Sequence, residues 1–303
     1  MTVSTSPSSV YRAFGLNFAS EIPFLDMKTT TAAPDVTIAF GQIPKGIPNA
    51  RAKGVRYQAA PGEFLLNVDN IAGYHVTEGR RIVIDPKPNA ATEEIILFLM
   101  GSAMGALLHQ RNMLPLHAGS ILVDGAAVLF TGPSGIGKST IVAAFEKRGL
   151  TVLSDDVCAV YAEAGKEANV YAGFPRIKLW ADTLEMLETP TKELKQVRLD
   201  ADFKKFFVPF KNSLHTPVPV RCVFVLNTTN TDTFTVEALH GKDRIDPIYD
   251  NTYRINFLGG LGGEKEHFRQ CMAVANTASV FKITRPKKVF RIQELMDIIK
   301  KHW

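Results

Sequence analysis

The residues best suited to chemistry form one uninterrupted stretch, 132–139, which reads GPSGIGKS and matches the pattern G-x-x-x-x-G-K-[ST] in full. An apolar run at 126–130 precedes it and a helical pattern at 140–147 follows it, so the sequence predicts a strand, a loop and a helix. Backbone N–H groups of such a loop surround a phosphate, and the helix dipole favours the anion. Lys138 would reach the β- and γ-phosphates of a nucleotide, and the Ser139 hydroxyl would ligate Mg²⁺.

The alternative interpretation of this stretch is a glycine-rich turn that matches by accident, and the flanking strand and helix disfavour it. The nucleotide-binding residues that the motif predicts are Gly132, Pro133, Ser134, Gly135, Ile136, Gly137, Lys138, Ser139 and Thr140.

Two adjacent carboxylates, Asp155 and Asp156, follow the next apolar run at 150–153. A helix from 138 to 147 carries the chain roughly 14 Å away from the phosphate edge. A strand of about five residues brings it back about as far. We therefore expect both carboxylates near the phosphates, where one can ligate Mg²⁺ and the other can accept a proton from an attacking hydroxyl. A solvated pair that caps the next turn is the structural alternative.

Two further side chains are candidates for catalysis. His117 precedes the hairpin that enters the loop, and it could line the phosphate pocket, polarise the γ-phosphate or hold a catalytic Asp. A hydrogen-bonded structural role is an equal alternative. Arg176, with Lys178 nearby, could place positive charge near a transferring phosphoryl group. Both could instead form the exposed face of a strand whose Ile177 and Leu179 pack inward.

Composition limits the class of protein. A chain of 303 residues with 46% hydrophobic and 21% charged residues is typical of a globular protein with one large domain or two ordinary ones. The net charge of +5 and the pI near 9.0 suit an anionic ligand. No basic block with interleaved aromatic residues occurs, so we expect no nucleic-acid partner. The three widely spaced cysteines, Cys158, Cys222 and Cys271, suit buried thiols rather than a metal site.

The sequence predicts neither a signal peptide nor a membrane span. The N-terminal residues lack the basic start and apolar core of a signal peptide, so we expect a cytoplasmic protein. The longest apolar run, 95–108, contains Gly and Ser and is shorter than a membrane span. We therefore expect a buried helix there and no membrane partner.

The pattern of predicted secondary structure changes near residue 90. Short runs at 36–40, 54–57, 63–68 and 81–84, separated by Pro, Gly and Asn, predict a small β-rich domain over 1–90. A linker at 86–92 follows, with Thr92 as a plausible helix cap. Residues 91–303 predict an α/β domain with a hairpin at Asp124-Gly125 and strands at 220–226 and 233–237. We expect a flexible glycine-rich loop at 258–263, a helix at 264–276 and a packing stripe at 292–299.

Common nucleotide-binding classes are disfavoured. The chain has no N-K-x-D motif of GTPases, no ABC-transporter signature and no protein-kinase set of H-R-D, D-F-G and β3 lysine. Instead, residues 117–119 (HAG), 132–139 and 153–156 (LSDD) resemble, in order and spacing, the catalytic core of HPr kinase/phosphorylase. Residues 11–16, 173–180 and 268–275 are similar to HPr-kinase-related proteins of peptide-modification gene clusters, including the kinases of lasso-peptide precursors.

The resemblance implies a fold class and a set of roles. It implies an α/β P-loop kinase core of the HPr kinase/phosphoenolpyruvate carboxykinase type with a small β-rich N-terminal domain. By that resemblance Lys138 and Ser139 bind ATP phosphate and Mg²⁺, Asp155 is the general base for a serine hydroxyl, and Asp156 helps to hold the metal. The chain lacks a close copy of the Glu-x-Arg-Gly signature that accompanies phosphorylase activity, although Arg176 could replace its Arg. We therefore expect neither phosphorolysis nor HPr as the substrate.

The predicted function is that of an ATP- and Mg²⁺-dependent kinase that phosphorylates a serine of a peptide or protein. A small-molecule kinase and a non-catalytic nucleotide-binding adaptor are the two alternatives. Residues 1–90 could bind the peptide or support assembly into a homo-oligomer, and the sequence leaves both open.

Overall fold

The computed structural model describes residues 9–24, 26–198, 202–211 and 214–303. Up to residue 113 the described chain is mostly β-structure followed by one helical run. Its elements are β1 (Ser9–Ala13), β2 (Leu16–Ser20), β3 (Val36–Phe40), β4 (Ala52–Lys53), β5 (Tyr57–Ala60), β6 (Glu63–Val68), β7 (Ala72–Thr77), β8 (Arg81–Pro86), α1 (Thr92–Phe98), a π-helical turn (Leu99–Ala103) and α2 (Met104–Gln110).

From residue 114 onward strands and helices alternate. The strands are β9 (Leu114–Leu116), β10 (Ala118–Val123), β11 (Ala126–Thr131), β12 (Thr151–Ser154), β13 (Cys158–Tyr161), β14 (Asn169–Tyr171), β15 (Arg176–Trp180), β16 (Lys195–Gln196), β17 (Lys205–Pro209), β18 (Val218–Thr229), β19 (Thr235–Ala238) and β20 (Ser279–Pro286). The α-helices are α3 (Lys138–Glu146), α4 (Ala181–Met186), α5 (Asp246–Asp250), α6 (Leu258–Leu261), α7 (Glu264–Thr277) and α8 (Ile292–Lys300), with short 3₁₀ turns at Gly241–Arg244 and Ile255–Phe257. The protein is thus mixed α/β with several sheets.

The chain divides into two compact units. The first contains residues 1–113 together with Arg254–His267, and the second contains Leu114–Tyr253 together with Phe268–Trp303. The sequence places a boundary near residue 90. The compact units differ from that boundary because the apolar helical run α1–α2 packs with the β-rich unit, where the Tyr74 hydroxyl donates to Ile95 O. Strands β1 to β8 form its sheet, in the order β1-β2-β3-β8-β7-β6-β5-β4.

The sheet of the second unit is built around β11, β18 and β20, which run parallel. Strand β10 pairs antiparallel with β11 through the turn at Asp124 and Gly125, where both residues have positive φ. Those dihedrals are the ones that a two-residue hairpin requires, so the predicted hairpin is confirmed. Strand β12 pairs antiparallel with β10 and therefore runs in the same direction as β11. The carboxyl ends of β11 and β12 consequently lie at the same edge of the sheet.

A separate three-stranded sheet, in the order β15-β17-β16, lies in the same unit. Ile177 and Leu179 of β15 are buried in the core, as the alternation predicts. The core also takes Leu295, Met296 and Ile299 of α8, which confirms the predicted packing stripe. The three cysteines are buried, as expected.

Three local expectations are wrong. Residues 54–56 form a turn rather than a strand, since Gly54 N donates to Tyr57 O. Ala91 rather than Thr92 occupies the cap position of α1, and it makes no side-chain capping bond. Residues 258–261 form α6 instead of a flexible loop, and a Cβ on Gly260 would lie 2.5 Å from Ala59 Cβ. Gly260 therefore serves close packing rather than mobility.

The apolar helical run differs from its expected length. Thr92–Gln110 spans 19 residues, and its most apolar window has a mean hydropathy of 1.2, so length and composition alone would allow a membrane span. A core helix passes the same test, and 67% of the most apolar window is buried inside the protein. The expectation that the run is too short is therefore wrong, while the expected burial is found.

Candidate active site

The loop between β11 and α3 has the backbone conformation that its glycines permit. Gly132 has a φ of 134°, and a Cβ there would lie 2.6 Å from the backbone oxygen of Leu226. Gly137 has a φ of 106°, and a Cβ there would lie 2.8 Å from the Phe290 ring. A side chain at Gly132 would therefore force the backbone to shift, and one at Gly137 would displace the Phe290 ring and strain its own backbone. The loop ends directly at α3, whose first turn exposes backbone N–H groups to an anion.

Lys138 is folded back over its own loop. Only 6% of the residue is exposed, and its Nζ donates to Gly132 O at 2.8 Å and to Pro133 O at 3.0 Å. Burial lowers the pKa of Lys138 to about 8, against the opposing effect of Asp155 and Asp156. The ammonium thus remains cationic at neutral pH and lies next to the loop that the motif assigns to phosphate.

Asp155 lies beside Ser139. The Ser139 hydroxyl donates to Asp155 Oδ2 at 3.1 Å, and the backbone N–H of Lys178 donates to the same oxygen at 3.1 Å. Asp155 Oδ1 is buried and has no hydrogen-bond partner among the residues that the structure describes. Burial, together with the neighbouring Asp156, raises the pKa of Asp155 to about 6. This carboxyl group therefore titrates near the pH at which a general base works best.

Asp156 is held in an ion-paired network. Its Oδ2 lies 2.6 Å from Lys178 Nζ, and its Oδ1 lies 3.4 Å from His117 Nδ1. Burial alone would raise the pKa of Asp156, but Lys178 and His117 outweigh it and hold the pKa below its usual range. The residue has a φ of 71°, a left-handed conformation that Asp tolerates better than most side chains. Asp156 thus stays a carboxylate while Asp155 can be protonated.

His117 contacts the backbone of that second carboxylate. Its Nδ1 lies 3.0 Å from Asp156 O, and a carbonyl oxygen can only accept, so Nδ1 carries the proton and Nε2 is the acceptor of the neutral ring. Burial and the charge of Lys138 lower the pKa of His117. Of the roles that the sequence left open, lining the pocket beside the loop and orienting an Asp are both consistent with its position, and the Asp that it contacts is Asp156.

These side chains line one cleft of about 420 Å³ in the second unit. Its lining includes Ser134, Gly135, Gly137, Lys138, Ser139 and Thr140 of the loop, together with His117, Asp155 and Asp156. Gly132, Pro133 and Ile136 contribute backbone oxygens to Lys138 or Arg285 instead. Arg176 is the predicted residue that the structure places elsewhere: its guanidinium lies 4.8 Å from the centre of the Phe207 ring, outside the cleft lining.

The cleft also contains residues that sequence reasoning did not single out. Lys205 on β17 and Trp180 on β15 line it from the three-stranded sheet, and Arg285 and Phe290 line it from the end of β20. Arg285 could have been found, since it lies near the carboxyl end of an apolar strand parallel to β11. Lys205 lies in the run KKFFVPF, which carries no motif.

The oxygen donors at the cleft suit a hard cation. Ser139 Oγ and the carboxylates of Asp155 and Asp156 are the ligand types that Mg²⁺ prefers, and Asp155 Oδ1 is an unfilled buried acceptor. Among the described residues, no three or more His, Cys, Asp or Glu side chains form a group that could hold a metal. The residues therefore fit an ion that takes its remaining ligands from phosphate and water, as Mg²⁺ commonly does.

Comparisons with known proteins add little. No family model matches the chain, and no curated protein matches it. Among solved structures, the chain is similar to the Hpr(Ser) kinase/phosphatase from Coxiella burnetii, with 15% sequence identity and a TM-score of 0.31. The alignment covers 62% of this chain and 95% of that one. This structural relation is distant, and it carries no argument about activity.

Proposed function

We propose that the protein is an ATP- and Mg²⁺-dependent phosphotransferase that phosphorylates a hydroxyl group, namely a serine of a peptide or protein. The observation that carries the proposal is the 3.1 Å contact between Ser139 Oγ and Asp155 Oδ2 at the end of the phosphate-binding motif. A loop that only binds nucleotide has no chemical need for a partly buried carboxylate at this position, one of whose oxygens is buried and has no partner among the described residues.

The charge of the cleft supports a nucleoside triphosphate as the donor. The cleft is lined by four cationic side chains and three carboxylates, which leaves an excess of one positive charge; the cations are Lys138, Lys178, Lys205 and Arg285, and the carboxylates are Asp155, Asp156 and Asp182. Phosphoryl transfer depends mainly on positioning and on charge neutralisation, so this excess is the principal catalytic resource. Bound Mg²⁺ would add further charge neutralisation at the phosphate oxygens.

We assign the general-base role to Asp155, because its Oδ1 is unpartnered and its pKa of about 6 suits proton abstraction near neutral pH. Ser139 and Asp156 are assigned to the metal. The Ser139–Asp155 contact also permits the reverse assignment, with Asp155 beside the ion. A magnesium titration distinguishes the two assignments. The half-saturating Mg²⁺ concentration should rise in Asp156→Asn if Asp156 is the metal ligand, and in Asp155→Asn if Asp155 is the metal ligand.

The serine acceptor and the link to ribosomal peptide precursors, including lasso-type ones, follow from the motif resemblance at 11–16, 173–180 and 268–275. The test incubates the purified protein with γ-³²P-ATP, Mg²⁺ and three acceptor sets. These sets are serine-containing peptides, the same peptides with serine replaced by alanine, and hydroxyl-bearing metabolites. Label on the serine peptides alone is the expected result.

The same assay distinguishes the rival functions. Label on metabolites only would indicate a small-molecule kinase, and nucleotide binding without consumption would indicate an adaptor. Lys138→Ala should weaken ATP binding and transfer, because it removes the buried ammonium at the loop. Lys147→Ala, at the exposed end of the same helix, is the matched control and should leave both unchanged.

A further inference from the structure

The four cationic side chains of the cleft differ in their partners. Lys138 Nζ donates to two loop carbonyls, Lys178 Nζ pairs with Asp156, and Arg285 donates to Pro286 O and Ile136 O. Lys205 Nζ has no hydrogen bond or ion pair within the described residues, and it lies 5.2 Å from the centre of the Trp180 ring. Lys205 is therefore the cation of the cleft whose charge is not matched by a protein oxygen.

The position of Lys205 is fixed by strand pairing. Lys205 is the first residue of β17, and its register partner on β15 is Trp180, two residues beyond Lys178. The fields of Asp155 and Asp156 favour its charged form, while burial and Lys178 lower its pKa. The charge of Lys205 in turn contributes to the lowered pKa of Lys138. Lys205 lines the same cleft as Lys138 and both carboxylates, so its ammonium lies within electrostatic range of all three.

An unpaired, partly buried ammonium is costly, because desolvation is not offset by a counterion. The cation–π contact with Trp180 offsets only part of that cost. An anion entering the cleft would supply the missing partner. Residues of the phosphate-binding motif and Lys205 line the same cleft, so the terminal phosphate of a nucleotide bound at 132–139 would be an anion within that cleft.

We propose that Lys205 binds the terminal phosphate of the nucleotide and neutralises its charge during transfer, an inference that rests on the proposed phosphotransferase function. In that step the bond between the γ-phosphorus and the oxygen bridging to ADP breaks, and a bond from phosphorus to the acceptor oxygen forms. The acceptor proton passes to Asp155, and Lys205 forms no covalent bond. Its side chain contacts the group that ATP has and ADP lacks.

The test compares binding of AMP-PNP and ADP, each with Mg²⁺, by calorimetry. Lys205→Met should weaken AMP-PNP binding by about 10–100-fold, the loss expected for a charge-assisted contact, and ADP binding by less than about threefold. Lys204→Met, an exposed neighbour in the chain, is the matched control and should change neither. Lys205→Arg keeps the charge and should retain most of the preference for AMP-PNP. Lys205→Gln replaces the Met variant if that one does not fold.

Trp180 gives a second readout, since the chain has two tryptophans and Trp303 packs against Phe145. In a Trp303→Phe background, AMP-PNP should change the Trp180 fluorescence more than ADP does, because the triphosphate draws Lys205 from the indole face. An unaltered AMP-PNP-to-ADP ratio in Lys205→Met would overturn the role of Lys205 alone. Failure of the wild-type protein to bind either nucleotide would overturn the proposed function as well.

Discussion

The Ser139 hydroxyl and the Asp155 carboxylate meet across sixteen residues of chain, at 3.1 Å. Ser139 lies in the first turn of α3, and Asp155 follows β12, so this hydrogen bond closes the strand–loop–helix–strand unit at one edge of the sheet. Asp155 Oδ2 is held there, while Oδ1 of the same carboxylate is buried without a partner. A buried acceptor left unfilled costs free energy, and such a cost is typical of a site shaped for a ligand.

Asp155→Asn should nearly abolish transfer without destabilising the protein. The folded-state pKa of about 6 lies above the ordinary value of 3.8, so the ionised form is destabilising at neutral pH and its cost is relieved as the pH falls through about 6. The neutral amide avoids that cost. We expect transfer to fall by about 10²–10⁴-fold, while the Tm at pH 8 stays equal or rises. Retained transfer, or a clearly lower Tm in differential scanning calorimetry, would contradict the assignment.

Asp156→Asn should have the opposite effect on stability, because it leaves Lys178 without its counterion. Only 18% of the Lys178 side chain is exposed, so little solvent can compensate. We expect a loss of about 1–3 kcal/mol in the free energy of unfolding from urea titration at pH 7. The double variant Asp156→Asn with Lys178→Met should recover much of that loss, since both charges are then absent. Additive losses in the double variant would show that the pair is not coupled.

The sequence predicts the part of the site that contains Ser139 and Asp155, because the determinants of that part are local in the chain. The loop motif, the apolar strand that ends at Ser154 and the turn at Asp124-Gly125 each have a short-range signature, and together they bring Asp155 to Ser139. The sequence does not predict the pairing of Lys178 with Asp156. Alternation along β15 assigns Ile177 and Leu179 to the core, but it leaves Lys178 a choice between solvent and cleft.

Lys205 and Gly260 show where sequence reasoning fails. Lys205 reaches the cleft only through the pairing of β17 with β15, a contact between strands that are distant along the chain and that no motif announces. The glycines at 258–263 suggest mobility when read locally. In the structure Gly260 instead packs closely against Ala59 and Ala52, and contacts of that kind depend on the packed tertiary structure.

The rate of transfer should depend on pH in a bell-shaped manner. The ionised form of Asp155 is active, so kcat/KM for the nucleotide should rise tenfold per pH unit up to about 6. The protonated form of Lys138 is active, so kcat/KM should fall above about 8. Steady-state kinetics between pH 5 and 9.5 would measure both limbs, with Lys138→Arg expected to move the alkaline limb upward. If the residual activity of Asp155→Asn kept the same acidic limb, that limb would report the ionisation of a group other than Asp155.

Gly132→Ala should disable the loop itself. Its φ of 134° is unfavourable for any side chain, and the new Cβ would meet Leu226 O at 2.6 Å, a backbone atom that cannot move aside cheaply. We expect loss of measurable AMP-PNP binding together with a reduced Tm. Gly149→Ala is the matched control, because that residue also has a positive φ but a Cβ there would meet nothing within 4 Å. The control should lower stability by about 1 kcal/mol through backbone strain and leave nucleotide affinity unchanged. Equal affinity in both variants would mean that the backbone conformation at Gly132 does not govern phosphate binding.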